Sequence, residues 1–246
     1  MKPRLLSSLC AILLGMTTLL AQPSSSPSYA DLVNPLIGTQ SSFELSSGNT
    51  YPVIARPWGM NAWTPQTGKM GDGWQYSYNA TKLRGFKQTH QPSPWINDYG
   101  QFSIFPEVAS TPIFDEERRA SWFSHKSETA RPYAYEVYLA DYDTEVRLSP
   151  TERAVTFEIA FPKQVHPDSC WVLIDAFDSG SELCQQDPYT LVGISRKNSG
   201  GVPANFANYF IVRFTQPITT LREQITEGKG GRHAQVAVRL KRQSGE

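Results

Sequence analysis

Aromatic and short polar side chains are concentrated between Gly48 and Pro106, where four of the six tryptophans lie. A flat amphipathic ring can cover the apolar face of a sugar, and amide, carboxyl and imidazole groups can bind the hydroxyls at its edge. This mixture of side chains predicts a sugar-binding site. The predicted substrate-binding residues are Trp58, Trp74, Trp95, His90, Asn49 and Asp98.

A structural interpretation of the same side chains is the alternative. In that case the rings pack into the core of a loop-rich cap, His90 bonds to its own loop, and Asn49 and Asp98 hold the loops together. Trp95 is the best candidate for a presented ring, because it stands in an irregular segment between a proline and an isoleucine. Trp63, by contrast, is expected in the core.

Loops must position these residues, because glycine and proline interrupt the stretch too often for regular sheet until a short strand at Phe102 to Phe105. From Tyr133 the pattern changes to period two, and Tyr133, Tyr135, Val137 and Leu139 are predicted to share one face. Further strands are predicted at Val155–Phe161, Cys170–Ala176, Thr190–Arg196, Tyr209–Phe214 and Ala234–Leu240, the second of them buried on both faces. Strands at short intervals with turn residues between them predict an all-β fold, an antiparallel β-sandwich.

Charged residues outside these strands are interpreted as structural. The run from Asp115 to Arg119 is expected to be a solvated loop, and Asp175 and Asp178 are expected to close a turn. The four histidines, His90, His125, His166 and His233, have no spacing typical of a zinc site, so no metal ligand is predicted.

The start of the chain has the pattern of a secretion signal, with Lys2 and Arg4 before an apolar run from Leu5 to Leu20. We predict a signal peptide over 1–21, a disordered leader over 22–30 and one domain over 31–246. The protein is therefore expected to be exported to the periplasm or the cell exterior. The apolar run is short for a membrane span, so no transmembrane segment is predicted.

The final predicted strand ends almost at the last residue. A sandwich ending there is expected to leave a strand edge uncovered, as in a domain whose C-terminal end is incomplete.

The balance of charges argues against nucleic-acid binding. Among 246 residues, 23 are basic and 23 are acidic, and no basic stripe indicates nucleic-acid binding.

Two cysteines, Cys170 and Cys184, remain after removal of the signal peptide. Export permits a disulfide between them, and two buried free thiols are the alternative.

Several short motifs occur in an order that resembles one known family. They are DLVNPLIGT at 31–39, GNTYP at 48–52, PWGM at 57–60, TPQT at 64–67, GWQY at 73–76, RGFKQTH at 84–90, DYG at 98–100, FSHKSE at 123–128 and YAYEVY at 133–138. Together they resemble the N-terminal part of glycoside hydrolase family 92, the calcium-dependent exo-α-mannosidases. The resemblance covers residues 31 to about 215.

This resemblance implies an N-terminal β-sandwich of supersandwich type that precedes a helical (α/α)6 barrel. It also implies mannose-containing glycans as substrates, an inverting reaction, and calcium ligands located mostly in the barrel. The chain departs from the family at 40–47, at Val53 to Ala55 and at 91–97, so linkage specificity does not carry over.

No catalytic residue is predicted in this chain. An inverting reaction needs an acid and a base about 6.5–9.5 Å apart. Asp72 and Asp98 flank the aromatic loops, but an aspartate in a loop more often serves a turn. The first hypothesis is therefore a mannosidase domain that supplies loops to the substrate pocket but lacks the acid and base. No cofactor is expected for this chain itself. The second is a non-catalytic sandwich that binds carbohydrate or a protein partner.

Overall fold

The computed structural model describes residues 28–40, 50–57, 59–69, 75–89, 102–198, 201–228 and 230–241. The predicted signal peptide lies outside these ranges. So do all six predicted substrate-binding residues: Asn49, Trp58, Trp74, His90, Trp95 and Asp98. Within them, Ser28 caps a short 3-10 helix at Tyr29–Leu32. No helix in the described ranges is long and apolar enough to cross a membrane.

The described ranges form strands joined by short connections. In chain order the strands are β1 Ala62–Gln66, β2 Lys82–Leu83, β3 Gly85–Thr89, β4 Ser103–Val108, β5 Ser121–Trp122, β6 Glu128–Arg131, β7 Ala134–Leu139, β8 Thr144–Pro150, β9 Val155–Ala160, β10 Cys170–Asp175, β11 Glu182–Asp187, β12 Thr190–Ser195, β13 Asn208–Arg213, β14 Ile218–Gly228 and β15 Gly231–Leu240. Two further 3-10 helices span His125–Ser127 and Pro167–Ser169.

The largest sheet has six strands in the order β1-β3-β4-β10-β15-β14. β1 and β3 correct the expectation that the Gly48–Pro106 stretch contains no regular sheet before Phe102. Pro65 is accommodated because β1 is at the edge of this sheet, where a missing N–H is tolerated. Glycine is needed at position 85, because the Cβ of any other residue would lie only 2.8 Å from Gln66 Oε1.

A second layer packs on one face of this sheet. It consists of a four-stranded sheet, β6-β7-β8-β9, and a three-stranded sheet, β11-β12-β13. Trp63 meets Phe157 edge to face at 5.1 Å, and Phe102 stacks on Phe210 at 3.8 Å. All pairings within these sheets are antiparallel. The predicted all-β antiparallel sandwich is therefore confirmed.

Several local predictions are confirmed, and others are wrong. Trp63 is 2% exposed, as expected of a core residue. Tyr135, Val137 and Leu139 are buried on one face of β7, but Tyr133 precedes the strand and is 43% exposed. β15 is not an uncovered edge, because the unpredicted strand β14 pairs along its outer side.

Both alternatives predicted for the two cysteines, a disulfide and two buried free thiols, are wrong. Cys170 and Cys184 do not form a disulfide. Neither thiol is in a buried residue, since Cys170 is half-buried and Cys184 is exposed.

Candidate functional site

A row of polar side chains crosses the face of the six-stranded sheet that is turned away from the second layer. Residues directly opposite one another in antiparallel strands point to the same face. The row, in register from β1 to β14, is Thr64, Lys87, Ser103, Asp175, Gln235 and Gln224. All members except Gln224 are buried, at 3% exposure or less. Burying this much polarity is unfavourable unless the groups bond to one another.

Asp175 is the centre of these bonds. Its Oδ2 accepts from Arg119 Nη2 at 3.0 Å and from Gln235 Nε2 at 2.8 Å. Its Oδ1 bonds to His233 Nε2 at 2.8 Å and accepts from the Phe177 backbone N–H at 3.2 Å. We call Asp175, Arg119, His233 and Gln235 the Asp175 cluster.

Arg119 corrects the expectation of a solvated loop at Asp115 to Arg119. Its side chain is fully buried, and it also donates to the backbone carbonyls of Arg84 and Phe114. The guanidinium therefore ties the segment before β5 to the sheet. Asp175, expected only to close a turn, does so through the Phe177 N–H but is also half of a buried ion pair.

The Asp175 carboxylate is held in its ionised form. Burial alone would raise its pKa, but the bond to His233, the charge of Arg119 and the bond from Gln235 outweigh burial and lower the pKa well below its ordinary range. A carboxylate with four partners and a lowered pKa does not donate a proton near neutral pH. The structure thus gives Asp175 a positioning role and not that of a general acid.

Phe177 follows the Asp175 cluster with a strained backbone. Its φ is 62°, a conformation that bulky residues rarely adopt, and its side chain is fully buried. The Nζ atoms of Lys87 and Lys197 lie 5.0 and 5.4 Å from its ring centroid. Strain of this kind costs about 1–3 kcal/mol and concentrates at functional sites. We therefore take this end of the sheet as the candidate site.

The connections that carry the predicted sugar-binding residues leave the sheet at two different ends. The 90–101 connection, with His90, Trp95 and Asp98, runs from Thr89 at the end of β3 to β4, whose Ser103 lies opposite Asp175. Its base therefore adjoins the Asp175 cluster. Asn49 and Trp58 belong to the segment before β1, which starts at this same end.

Trp74 belongs to the connection from Gln66, at the far end of β1, to Gly85. Four strand steps, roughly 13 Å, separate the two ends of β1. Thr64, in the same row as Asp175, lies two residues from either end of β1, and Arg119 of the Asp175 cluster donates to the carbonyl of Arg84 at the C-terminal end of the Trp74 connection. The bases of both connections therefore lie near the Asp175 cluster, and all six residues themselves stay predictions.

A second buried cluster anchors the C-terminal base of the Trp74 connection. Both oxygens of Glu128 accept from the Tyr76 hydroxyl at 3.0 Å, and Oε1 also accepts from Tyr135 at 2.5 Å. His125 Nδ1 lies 2.6 Å from Glu128 Oε2, and its ring stacks on Tyr78 at 3.9 Å. The GWQY and FSHKSE motifs therefore meet at one carboxylate, which the sequence did not reveal.

Replacing Tyr76 by phenylalanine is expected to reduce the free energy of unfolding by about 1.5–3 kcal/mol, because it removes a buried bond to a charged group. Urea unfolding measures the change. Tyr78→Phe is the matched control: it also removes one tyrosine hydroxyl but keeps the ring stack on His125, and it should be near neutral. Equal effects of the two variants would contradict the importance of the Glu128 bond.

Glu107, on β4, is a third buried carboxylate. Its Oε1 accepts from the Ile113 backbone N–H at 2.8 Å, whereas Oε2 has no hydrogen-bond partner among the described residues. Burial raises the pKa of Glu107 to about 7, against the smaller opposing effects of the Ile113 bond and the Arg119 charge. The side chain is fully buried, so it does not reach a substrate in this arrangement.

Metal ligation finds no support among these side chains. No group of three or more histidine, cysteine, aspartate or glutamate residues in the described ranges is arranged to hold a metal ion.

Comparison with known proteins agrees with this architecture. The sequence profile described as the Glycosyl hydrolase family 92 N-terminal domain matches residues 32–245. The chain belongs to glycosyl hydrolase family 92. A comparison with curated proteins finds no match.

Solved structures of family 92 enzymes share the fold. BT2199, an inverting mannosidase from Bacteroides thetaiotaomicron VPI-5482, matches 89% of this chain with 40% identity and a TM-score of 0.79. The alpha-mannosidase BT3965 of Bacteroides thetaiotaomicron matches 88% with 23% identity and a TM-score of 0.70, and the family enzyme ccman5 matches 86% with 19% identity and 0.59. The last two comparisons support the fold alone.

The family 92 chain described here spans only part of these enzymes. The matched region is 30% of the BT2199 chain and 32% of the BT3965 chain. It corresponds to the N-terminal domain of the family.

Proposed function

We propose that this chain is the N-terminal domain of an exported, exo-acting, inverting α-mannosidase that acts on mannose-containing glycans. It supplies loops to the substrate pocket, and the acid and base come from a helical barrel outside this chain. The 40% identity to the inverting mannosidase BT2199 supports the reaction class. The signal-like start of the sequence supports export.

One structural observation carries the proposed role of the loops. The 90–101 connection, which contains a histidine, a tryptophan and an aspartate, joins two strands, β3 and β4, that both contribute a residue to the row of Asp175. Binding residues on a loop are most effective when a rigid scaffold fixes the base of that loop. On β4 Ser103 lies opposite Asp175, and on β3 Lys87, two residues before Thr89, places its Nζ 5.0 Å from the ring centroid of the strained Phe177.

The buried carboxylates support the proposal that the acid and base lie elsewhere. Asp175 is ionised and has four partners, Glu128 has three side-chain partners, and Glu107 is enclosed. We propose that the barrel provides the catalytic pair and most calcium ligands.

The experiment compares this chain with a hybrid enzyme. In the hybrid, this chain replaces the matched 30% of BT2199. The purified chain alone is expected to release no mannose from an α-mannoside, with or without calcium, whereas the hybrid is expected to release it. Calcium-dependent release by the chain alone would overturn the assignment of acid and base. A folded hybrid that binds mannan but releases no mannose would favour the binding module.

A further inference from the structure

Two strands of the second layer have free edges that face one another. In the described part of the chain, β9 pairs only with β8 and β13 pairs only with β12. Phe157 of β9 contacts Trp63, and Phe210 of β13 contacts Phe102, so both strands pack on the same face of the six-stranded sheet. The four-stranded and three-stranded sheets therefore share one layer, with an interruption between them.

A cleft of about 1650 Å³ occupies this interruption. β9 and β13 contribute to its walls, and side chains of the six-stranded sheet contribute to its floor. The floor includes Ile104, Val172, Val238 and Leu240. We call it the β9–β13 cleft. An apolar floor between two strand edges with unpaired backbone groups is an environment suited to an additional strand.

Burial along neighbouring strands shows the same incompleteness. The inward residues of β8, Val146 and Leu148, are at most 2% exposed. The corresponding residues of β9, Val155, Phe157 and Ile159, are only half-buried although they belong to the same sheet. The difference arises because β8 has a strand on both sides, whereas β9 has the cleft on one side.

We propose that the β9–β13 cleft receives extended β-structure, at least one strand wide, from the part of a family 92 enzyme that lies outside this domain. The added strand would pair with the edges of β9 and β13 and direct alternate apolar side chains onto the floor. Main-chain bonds would provide affinity and the alternating side chains would provide register. The proposal rests on the proposed function, because it requires a longer enzyme.

Chain length and the two strand edges favour the rest of a family 92 enzyme as the source of the strand. Most of each solved relative lies outside the matched region, which is 30% of BT2199. A second copy of this chain is the other possible occupant. It would have to enter a recess that already lies between two sheets, whereas edge-to-edge association of two copies joins only one edge of each.

Hydrogen–deuterium exchange of this chain and of intact BT2199 tests the proposal. In this chain alone, about half of the β9 and β13 amides should exchange rapidly, because alternate N–H groups of an edge strand point away from its partner. In BT2199, the same amides of the two corresponding strands should exchange at least 100-fold more slowly, roughly the effect of the added strand bonds. β7, paired on both sides in this chain, is the internal reference.

Two results would overturn the proposal. Rapid exchange at both corresponding strands of BT2199 would show that the cleft stays open in a longer enzyme. Protection in this chain alone that disappears on dilution, together with dimers in size-exclusion chromatography, would identify a second copy as the occupant. Neither result concerns mannose release, so an active hybrid enzyme would retain the proposed function even if the cleft stayed open.

Discussion

Replacing Arg119 by methionine is expected to reduce the free energy of unfolding by about 3–5 kcal/mol, the usual effect of removing one partner from a buried ion pair. Arg119 and Asp175 are 3.0 Å apart and at most 1% exposed. Methionine fills similar space but leaves the Asp175 carboxylate without its cationic partner. The change also removes the bonds to the carbonyls of Arg84 and Phe114.

Chemical denaturation at pH 7 measures this loss. The matched control is Arg118→Met, because Arg118 is the exposed neighbour of Arg119 and the substitution is the same. The double variant Arg119→Met, Asp175→Asn should recover part of the loss, since no carboxylate then stays buried without its partner. Similar stabilities of the Arg118 and Arg119 variants would contradict the assigned role of the pair.

Replacing Glu107 by glutamine is expected to stabilise the protein above pH 7 by up to about 3 kcal/mol, at 1.36 kcal/mol per pKa unit. The pKa of Glu107 is raised from 4.5 to about 7 in the folded protein. Its contribution to stability is therefore fully present below pH 4.5 and is lost as the pH rises through about 7. Glutamine has no such loss, because it does not ionise.

The measurement is the difference in unfolding free energy between wild type and Glu107→Gln from pH 4 to pH 9. The difference should be small at pH 4, grow through the neutral range and level off above pH 8. Glu117→Gln, at an exposed site, controls for the general effect of a removed charge. Parallel pH profiles for the wild type and the Glu107 variant would show that Glu107 does not titrate in this window.

The regular parts of the fold could be predicted because their burial follows a simple period. β7 and β9 show period two in the sequence, and the run at Cys170 has the near-continuous apolar composition of a doubly buried strand. β8 alternates equally well in the structure and could have been predicted from Thr144 to Pro150. β1 and β3 were not predicted, because proline and glycine usually indicate irregular structure. Pro65 fits into β1 because this strand is at the edge of the sheet, and Gly85 fits into β3 because the close contact with Gln66 leaves no room for a Cβ.

The polar side of the main sheet could not be predicted in the same way. The three side-chain partners of Asp175 come from positions 56 to 60 residues away, so their contact depends on strand order and not on local pattern. A weak signal exists in β15, where His233 and Gln235 alternate with apolar residues. Arg119 gave no signal, because a charged run such as 115–119 is usually solvated.

The most direct test of the proposed pocket role is kcat/KM for an α-mannoside in the hybrid enzyme carrying Trp95→Ala. Trp95 belongs to the connection based at the Asp175 cluster, and loss of a stacking ring is expected to cost about 1–3 kcal/mol of transition-state binding. This corresponds to a decrease of roughly 5- to 150-fold in kcat/KM. Glu117→Ala, an exposed change in the same hybrid, should leave kcat/KM unchanged. A Trp95→Ala hybrid with a normal melting temperature and full activity would contradict the placement of this loop in the sugar pocket.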